Sequence, residues 1–478
     1  MFIHNNNFQL SNILVPFFPK QISRRGILIY LICLGTVSLI FFRHMMKLDY
    51  IVIGIVWVLL FFLLSSRYSM KWISLPEKKF VRKLFWTAFA FRVVWVIFSF
   101  FFYIVKTGMP FEFGSSDAMG YHDEALWFQE IGFASTWDYL SHRSIADAGY
   151  PVYLTLLYSV TGGSIIITRI IKSLLSAWMC VLMYRLAKRN VGEEAGRMTG
   201  IFCCLMPNLI MYCGLHLKET EMLFLTVAAL ERADALLRSP KVNVWNLIVV
   251  ALLVVSLFFF RTVLGATMIF AILSALVFSS NALMGRWNRV VLISWAIIAL
   301  VVMAGGTLAN ETLSVWEGRS ENQAAKRDYQ VYKGIKWAKY ATGSVMAPIM
   351  FVLPFPTMVD VDEQYNQQLI NGGNYVRNFF GIFTLIALFS AIFVKKNWRD
   401  LALIGSFIIS YLGVICMSGF ANSERFLLPG LPFLLLMAAY GVSLLDERNF
   451  KWVRIWYYIV PVMVIGWAVF KLGSRGIL

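Results

Sequence analysis

Thirteen runs of apolar residues follow one another along the chain. They lie at about 26–42, 49–66, 84–106, 163–184, 196–214, 220–237, 245–260, 262–280, 290–306, 374–394, 401–419, 425–445 and 455–472. A helix rises about 1.5 Å per residue, so roughly 20 apolar residues cross the ~30 Å hydrocarbon core of a bilayer. The pattern therefore predicts an all-α, polytopic membrane protein of about thirteen transmembrane helices. A second run follows the first closely, and no small-residue cleavage site separates them, which predicts a retained anchor rather than a cleaved signal peptide. Two polar stretches are long, 107–162 and 307–373. Each holds an apolar piece too short to cross, Tyr150–Thr161 and Val345–Pro354, suited to lying at the interface or re-entering it.

Composition agrees. The chain has 478 residues, 59% apolar and only 14% charged, where a soluble domain is about a quarter charged. This excludes a soluble globular enzyme, a disordered chain and a secreted disulfide scaffold. Its 43 Lys and Arg outnumber 26 Asp and Glu, for a net charge of +17. That excess is distributed as the positive-inside rule requires and is no nucleic-acid footprint. With residues 1–25 placed in the cytoplasm, the short segments 1–25, 67–83, 185–198, 232–243, 281–289, 395–400 and 446–454 hold 24 of the 43. The opposite orientation would put Arg67, Lys71, Lys78, Lys79, Arg82 and Lys83 outside. The N-terminus is thus expected inside and both long loops outside, in a plasma (inner) membrane. All six cysteines fall in apolar runs and read as small core residues.

Walker A, G-x-G-x-x-G, H-E-x-x-H and G-x-S-x-G motifs are absent, so an ATP-driven pump or a zinc protease has no support. The first long loop is more informative. In Phe113-Gly-Ser-Ser-Asp-Ala-Met-Gly-Tyr-His-Asp-Glu-Ala125, Ser115 and Ser116 suit a helix start, and Asp117, Tyr121 and Glu124 recur on one helical face. An acid at a membrane surface can act as a general base or ligate a divalent metal. A solvated acidic loop, with Asp117 as a cap, is the plainer reading of the spacing alone.

Asp117-Ala-Met-Gly-Tyr121-His122-Asp-Glu-Ala125 is followed by Gly149-Tyr-Pro-Val-Tyr-Leu-Thr-Leu-Leu-Tyr158, then by Arg169-Ile-Ile-Lys-Ser-Leu-Leu-Ser-Ala177 and Val181-Leu-Met-Tyr-Arg-Leu-Ala-Lys188. Together with Glu424-Arg-Phe-Leu-Leu-Pro-Gly-Leu-Pro432, this order resembles the membrane glycosyltransferases of the GT-C superfamily. It is most similar to the bacterial relatives of dolichyl-phosphate-mannose protein mannosyltransferases and to the lipid A aminoarabinose transferase. The resemblance covers about 85–280 and 420–445. It implies a GT-C-like bundle over 84–478, preceded by a cytoplasmic N-terminus and two extra spans in 1–83. It implies an inverting transfer of sugar from a polyprenyl-phosphate donor to an envelope acceptor (lipid, glycan or protein), with Asp117 in the place of the catalytic acid. The large C-terminal soluble domain of the family is lacking, which weakens the case for a protein acceptor.

Such a transfer needs a base for the acceptor proton, cations for the leaving phosphate and a groove for the lipid tail. Asp117 supplies the base. Lys218, Arg261 and Arg425 stand at outer span ends and suit the donor phosphate, although each could equally be an interfacial anchor. Tyr121, His122, Glu124 and Glu424 are candidates for acceptor or sugar contact. Arg92, Arg169 and Lys172 lie inside spans, where a charge is costly unless partnered. A structural pair is expected for Arg92, and acids from neighbouring helices for the other two. No definite cofactor follows from the sequence. A divalent metal held by His122 and His216 with Asp117 and Glu124 is the less favoured arrangement, since no His-x₃-His pair is present.

The second long loop carries Lys326, Arg327, Lys333, Lys336 and Lys339, which suit a helix lying on anionic headgroups or a lid over the donor. Asp360, Asp362 and Glu363 follow as possible sugar or metal contacts. Asn310-Glu-Thr312 is a glycosylation sequon relevant only in a eukaryotic secretory pathway. Two other functions stay open: a cell-surface polysaccharide polymerase or ligase, and a transporter or flippase. The acidic first loop speaks against the former. The lack of an internal repeat speaks against the latter.

Overall fold

The computed structural model describes residues 16–141, 148–240, 243–279, 349–362, 364–418, 423–473 and 477. Outside them lie the expected span 290–306, the basic run 326–339, the sequon, Glu363, and much of the second long loop.

The described residues form helices without a named strand. In chain order they are α1 (Lys20–Ile40), α2 (Leu48–Trp72), α3 (Glu77–Thr107), α4 (Ser116–Ser141, kinked at Gly132), α5 (Gly149–Thr161), α6 (Ile165–Val191), α7 (Glu193–Leu205), α8 (Pro207–Met211), α9 (Glu219–Leu237), α10 (Val244–Phe260) and α11 (Thr262–Phe278). After the undescribed stretch come α12 (Tyr365–Leu369), α13 (Asn371–Phe389), α14 (Ala402–Met417), α15 (Glu424–Leu427), α16 (Leu431–Ser443) and α17 (Glu447–Gly473). Among the described residues, seven helical segments are long and apolar enough to cross a membrane: α1, α2, α3, α6, α13 with its π-turn extension to Val394, α15–α16, and α17. The helices α10, α11 and α14 are apolar but shorter. The protein is therefore a helical, multi-pass membrane protein.

Two expected spans differ in form. The run 196–214 is not one helix. Pro207 has no N–H to donate to the Cys203 carbonyl, and Met206 turns extended, so α7 ends and α8 restarts before a 3₁₀ turn at Tyr212–Gly214. Arg92, fully buried in α3, takes up the carbonyls that this break releases. Its guanidinium donates to the carbonyls of Cys203 and Cys204, both at 3.1 Å, while Nε donates to Ser176 Oγ at 2.7 Å. Its partners are thus carbonyls, a hydroxyl and the Cys180 thiol rather than an acid. The run 220–237 forms α9, which carries acids and arginine and falls outside the seven apolar segments.

One aromatic core joins the first two helices to the rest. Phe18 ahead of α1, Phe61 and Phe62 of α2, Phe202 of α7 and Phe379 and Phe380 of α13 pack ring to ring, with Phe202 and Phe380 centred 4.9 Å apart. The α13–α16 crossing is tighter still, because a Cβ on Gly441 would collide with the Phe383 carbonyl. Close backbone approach of this kind is how helices associate where the solvent is itself apolar.

Ion pairs mark two ends. At one, Lys188 and Arg189 at the end of α6 meet Glu77 at the start of α3 and Glu231 and Asp234 at the end of α9. At the other, the end of α3 and the starts of α4, α6, α9, α11 and α15 converge.

Candidate functional site

Local sequence brings each charged group to this second end. α3 stops at Gly108, whose φ of 79° gives the left-handed cap that glycine adopts without strain. Ser115 accepts the Met119 N–H at 2.9 Å as α4 begins, which sets Asp117 in the first turn, where the helix dipole favours an acid. Lys218 immediately precedes α9 and Glu219 opens it. Arg261 is a single extended residue between α10 and α11, and Arg425 lies in the first turn of α15.

Arg425 is the hub. Its Nη1 donates to Asp117 Oδ2 across 308 residues of sequence, and its Nε donates to Glu219 Oε1. Arg261 approaches the same Glu219 oxygen at 3.5 Å, and its guanidinium carbon stands over Phe426, 4.5 Å from the ring centre. The Lys218 ammonium donates to the Phe260 carbonyl at the end of α10, 2.9 Å away, and stands 5.9 Å from the Tyr121 ring. Asp117, half exposed at 53%, forms the lip, and Glu219, at 0%, the floor. Burial alone would raise the Glu219 carboxyl, but the Arg425 and Arg261 guanidiniums outweigh it and hold the group below its ordinary range. Burial, reinforced by Arg261, pulls the Lys218 ammonium down to about 7. Among the described residues the cluster joins three basic side chains to two carboxylates.

Beneath it sits a second polar layer. Lys172 of α6 donates to the carbonyls of Leu215, at 2.9 Å, and Leu217, and pairs with Glu221 at 3.5 Å. It thereby fixes the non-helical stretch that presents Lys218. Arg169 donates to the Pro110 carbonyl at 2.5 Å, while its Nε and Nη1 are buried without a partner. Glu112 is buried nearby, its carboxyl raised by that burial. Of the two, Lys172 has the acidic partner expected from a neighbouring helix. Arg169 instead bonds a carbonyl.

The four candidates for sugar or acceptor contact separate. Tyr121 stays with the cluster, its ring edge-on to Tyr150 at 5.1 Å and its phenol pushed up to about 12 by burial. Glu124 is half-buried one turn further along α4. Glu424 is buried in the first turn of α15, next to Arg425. His122 turns away toward α5: its Nδ1 is 2.7 Å from Tyr158 Oη, which lies 2.9 Å from His216 Nε2. Burial lowers both imidazoles. Asp360 is drawn elsewhere, its N–H donating to the His44 carbonyl at 2.7 Å, and Asp362 lies 3.5 Å from the Tyr365 hydroxyl.

Glu219 was not singled out by the sequence pattern, although it holds the centre of the cluster. The signal present was the dense charge of Lys218-Glu-Thr-Glu221 in a very short turn. Among the described residues, no three His, Cys, Asp or Glu side chains gather as a metal's ligands would. No protein-family model matches this sequence, and no curated protein does.

Proposed function

We propose that the protein is an inverting glycosyltransferase that moves a sugar from a polyprenyl-phosphate donor to an acceptor of the cell envelope. The observation that supports this reading is the Arg425 hub, which sets an exposed carboxylate, Asp117, beside three basic side chains at one end of a membrane-embedded bundle. An acid and a cation cluster are the two halves such a transfer requires. The reading carries with it the finer topology of thirteen spans, a cytoplasmic N-terminus and an extracytoplasmic reaction.

The proposed chemistry follows from the pairing. Arg425 holds both Asp117 and Glu219. A donor phosphate entering beside Lys218 and Arg261 competes for the Arg425 guanidinium and loosens its hold on Asp117. The freed carboxylate accepts the proton of the acceptor hydroxyl as that oxygen bonds the anomeric carbon. The bond from that carbon to the phosphate oxygen breaks, and polyprenyl phosphate leaves with the electron pair, stabilised by the three basic side chains. Glu219 stays on the floor and keeps Arg425 and Arg261 oriented.

The test uses purified full-length chain, a synthetic polyprenyl-phosphate sugar series and acceptor-containing envelope extract, with product detected by mass spectrometry. Asp117→Asn keeps size but removes the base, so turnover is expected to fall roughly 10²–10⁴-fold with donor binding retained. Glu124→Gln serves as the comparison and is expected to act through acceptor binding. Undiminished turnover in Asp117→Asn would remove the main support for the enzyme reading.

A further inference from the structure

The end of the molecule opposite Asp117 carries a groove that the proposed reaction does not use. It runs between α1 and α17. Both helices finish near the Asp117 end. The 3₁₀ turn after α1 accepts the Asp360 N–H at His44, and Lys471 of α17 donates to the side chains of Gln364 and Gln367 at 2.9 and 3.0 Å. In the same region Asn366 donates to the Phe113 carbonyl ahead of α4 at 2.7 Å. The starts of α1 and α17 therefore share the far end, and the groove between them encloses about 470 Å³.

Its walls are of two kinds. Arg25 of α1 and Arg454 of α17 supply the charge, and neither has an acidic partner among the described residues. Both bear electrostatically on Tyr457, which lines the same groove and whose hydroxyl is buried without a hydrogen-bond partner. Pro461 adds a backbone acceptor, because it has no N–H to give the Tyr457 carbonyl. Toward mid-bundle the wall turns apolar, with Leu28 and Ile32 nearly half exposed.

Depth sets the level of these groups. Arg25 and Arg454 lie five and seven residues from the starts of their helices, or about 8 and 10 Å along the axis. With 27 residues, α17 is about 40 Å long and exceeds a hydrocarbon core of ~30 Å. Its first turns thus reach the headgroup zone, where arginine and tyrosine side chains meet lipid phosphates.

We propose that this groove binds an anionic phospholipid, its phosphate held by Arg25 and Arg454 and one acyl chain lying along Leu28, Ile32 and Pro461. A zwitterionic lipid would bring a cationic choline toward two uncompensated guanidiniums, and a soluble anion would leave the apolar wall uncovered. The site is separate from the proposed transfer centre and does not depend on that reading.

The test is native mass spectrometry of the purified, delipidated full chain with equimolar phosphatidylglycerol and phosphatidylcholine. Retention of phosphatidylglycerol roughly tenfold above phosphatidylcholine is expected. The double variant Arg25→Gln, Arg454→Gln should lose the preference, and Arg25→Lys, Arg454→Lys should keep most of it. In the wild-type chain, a photoactivatable phosphatidylglycerol should crosslink to peptides containing Leu28–Ile32 and Tyr457–Pro461, a result that needs no variant to fold. Equal retention of the two lipids, crosslinks confined to other helices, or displacement by millimolar inorganic phosphate would each overturn the assignment.

Discussion

Lys218 shows how strongly surroundings can change one residue. Its side chain is buried beside Arg261, with Glu219, Arg425 and Asp117 also facing it, and its pKa falls from 10.5 to about 7. A bound phosphate favours the charged ammonium, so donor binding should draw a proton onto Lys218. Below pH 7 the charge is already present. Above it, binding must first supply the proton, and the donor KM should rise, approaching tenfold per pH unit. Arginine stays charged throughout this range, so Lys218→Arg should flatten the profile. A wild-type donor KM independent of pH between 7 and 9 would separate Lys218 from the donor. Folding follows the same linkage with the opposite sign. The unfolded chain holds this proton more tightly between about 7 and 10.5, so Lys218's contribution to stability improves as pH rises through that window. Sequence spacing could nominate Lys218, Arg261 and Arg425 separately, because each sits at the end of an apolar run, and Asp117 by the helical face it shares with Tyr121 and Glu124. It could not pair them. The Asp117–Arg425 contact joins residues 308 apart, and Glu219 reads as ordinary helix-start acidity until the fold brings Arg425 onto it.

At the scale of elements, apolar run length was informative where nothing interrupts the backbone. α2 and α3 each contain an expected span, α1 and α6 each cover most of one, and all four extend past the apolar residues with polar turns, since helix formation does not stop where hydrophobicity does. The α7–α8 break was less visible, because hydrophobicity continues through Pro207 while the hydrogen-bond ladder does not. Arg92 closes that gap from α3, which makes a testable unit. Arg92→Met should leave two buried carbonyls and Ser176 short of a donor, at about 1–3 kcal/mol for each unsatisfied group, and lower the thermal midpoint in detergent. Pro207→Ala gives the Cys203 carbonyl a possible N–H partner of its own. In that background the cost of Arg92→Met should shrink, and a double-mutant cycle measures the difference. Additive effects would mean that Arg92 is not compensating the proline break.

For the whole molecule, the sequence predicted an all-helical membrane protein, and the two charged ends follow from the same alternation of helices. Which end faces the cytoplasm is a matter of charge bias, not of packing. The Glu77–Lys188–Arg189–Asp234 end belongs to segments rich in Lys and Arg, whereas the first long loop between α3 and α5 is acidic. The protein offers a clean background for deciding it, because all six cysteines are buried and free. A membrane-impermeant maleimide should therefore react with the native chain weakly at most. Lys79→Cys, exposed near the start of α3, should label only after the cells are permeabilised. Asp123→Cys, exposed on α4, should label in intact cells. The two positions lie near opposite ends of α3, a helix of 31 residues and about 46 Å, so a spanning α3 must separate them. Labelling of both in intact cells, or of neither until permeabilisation, would contradict a membrane-spanning α3. The reversed pattern would keep the fold but move Asp117 and its cations to the cytoplasmic face, where a reaction on envelope acceptors outside the cell could not occur.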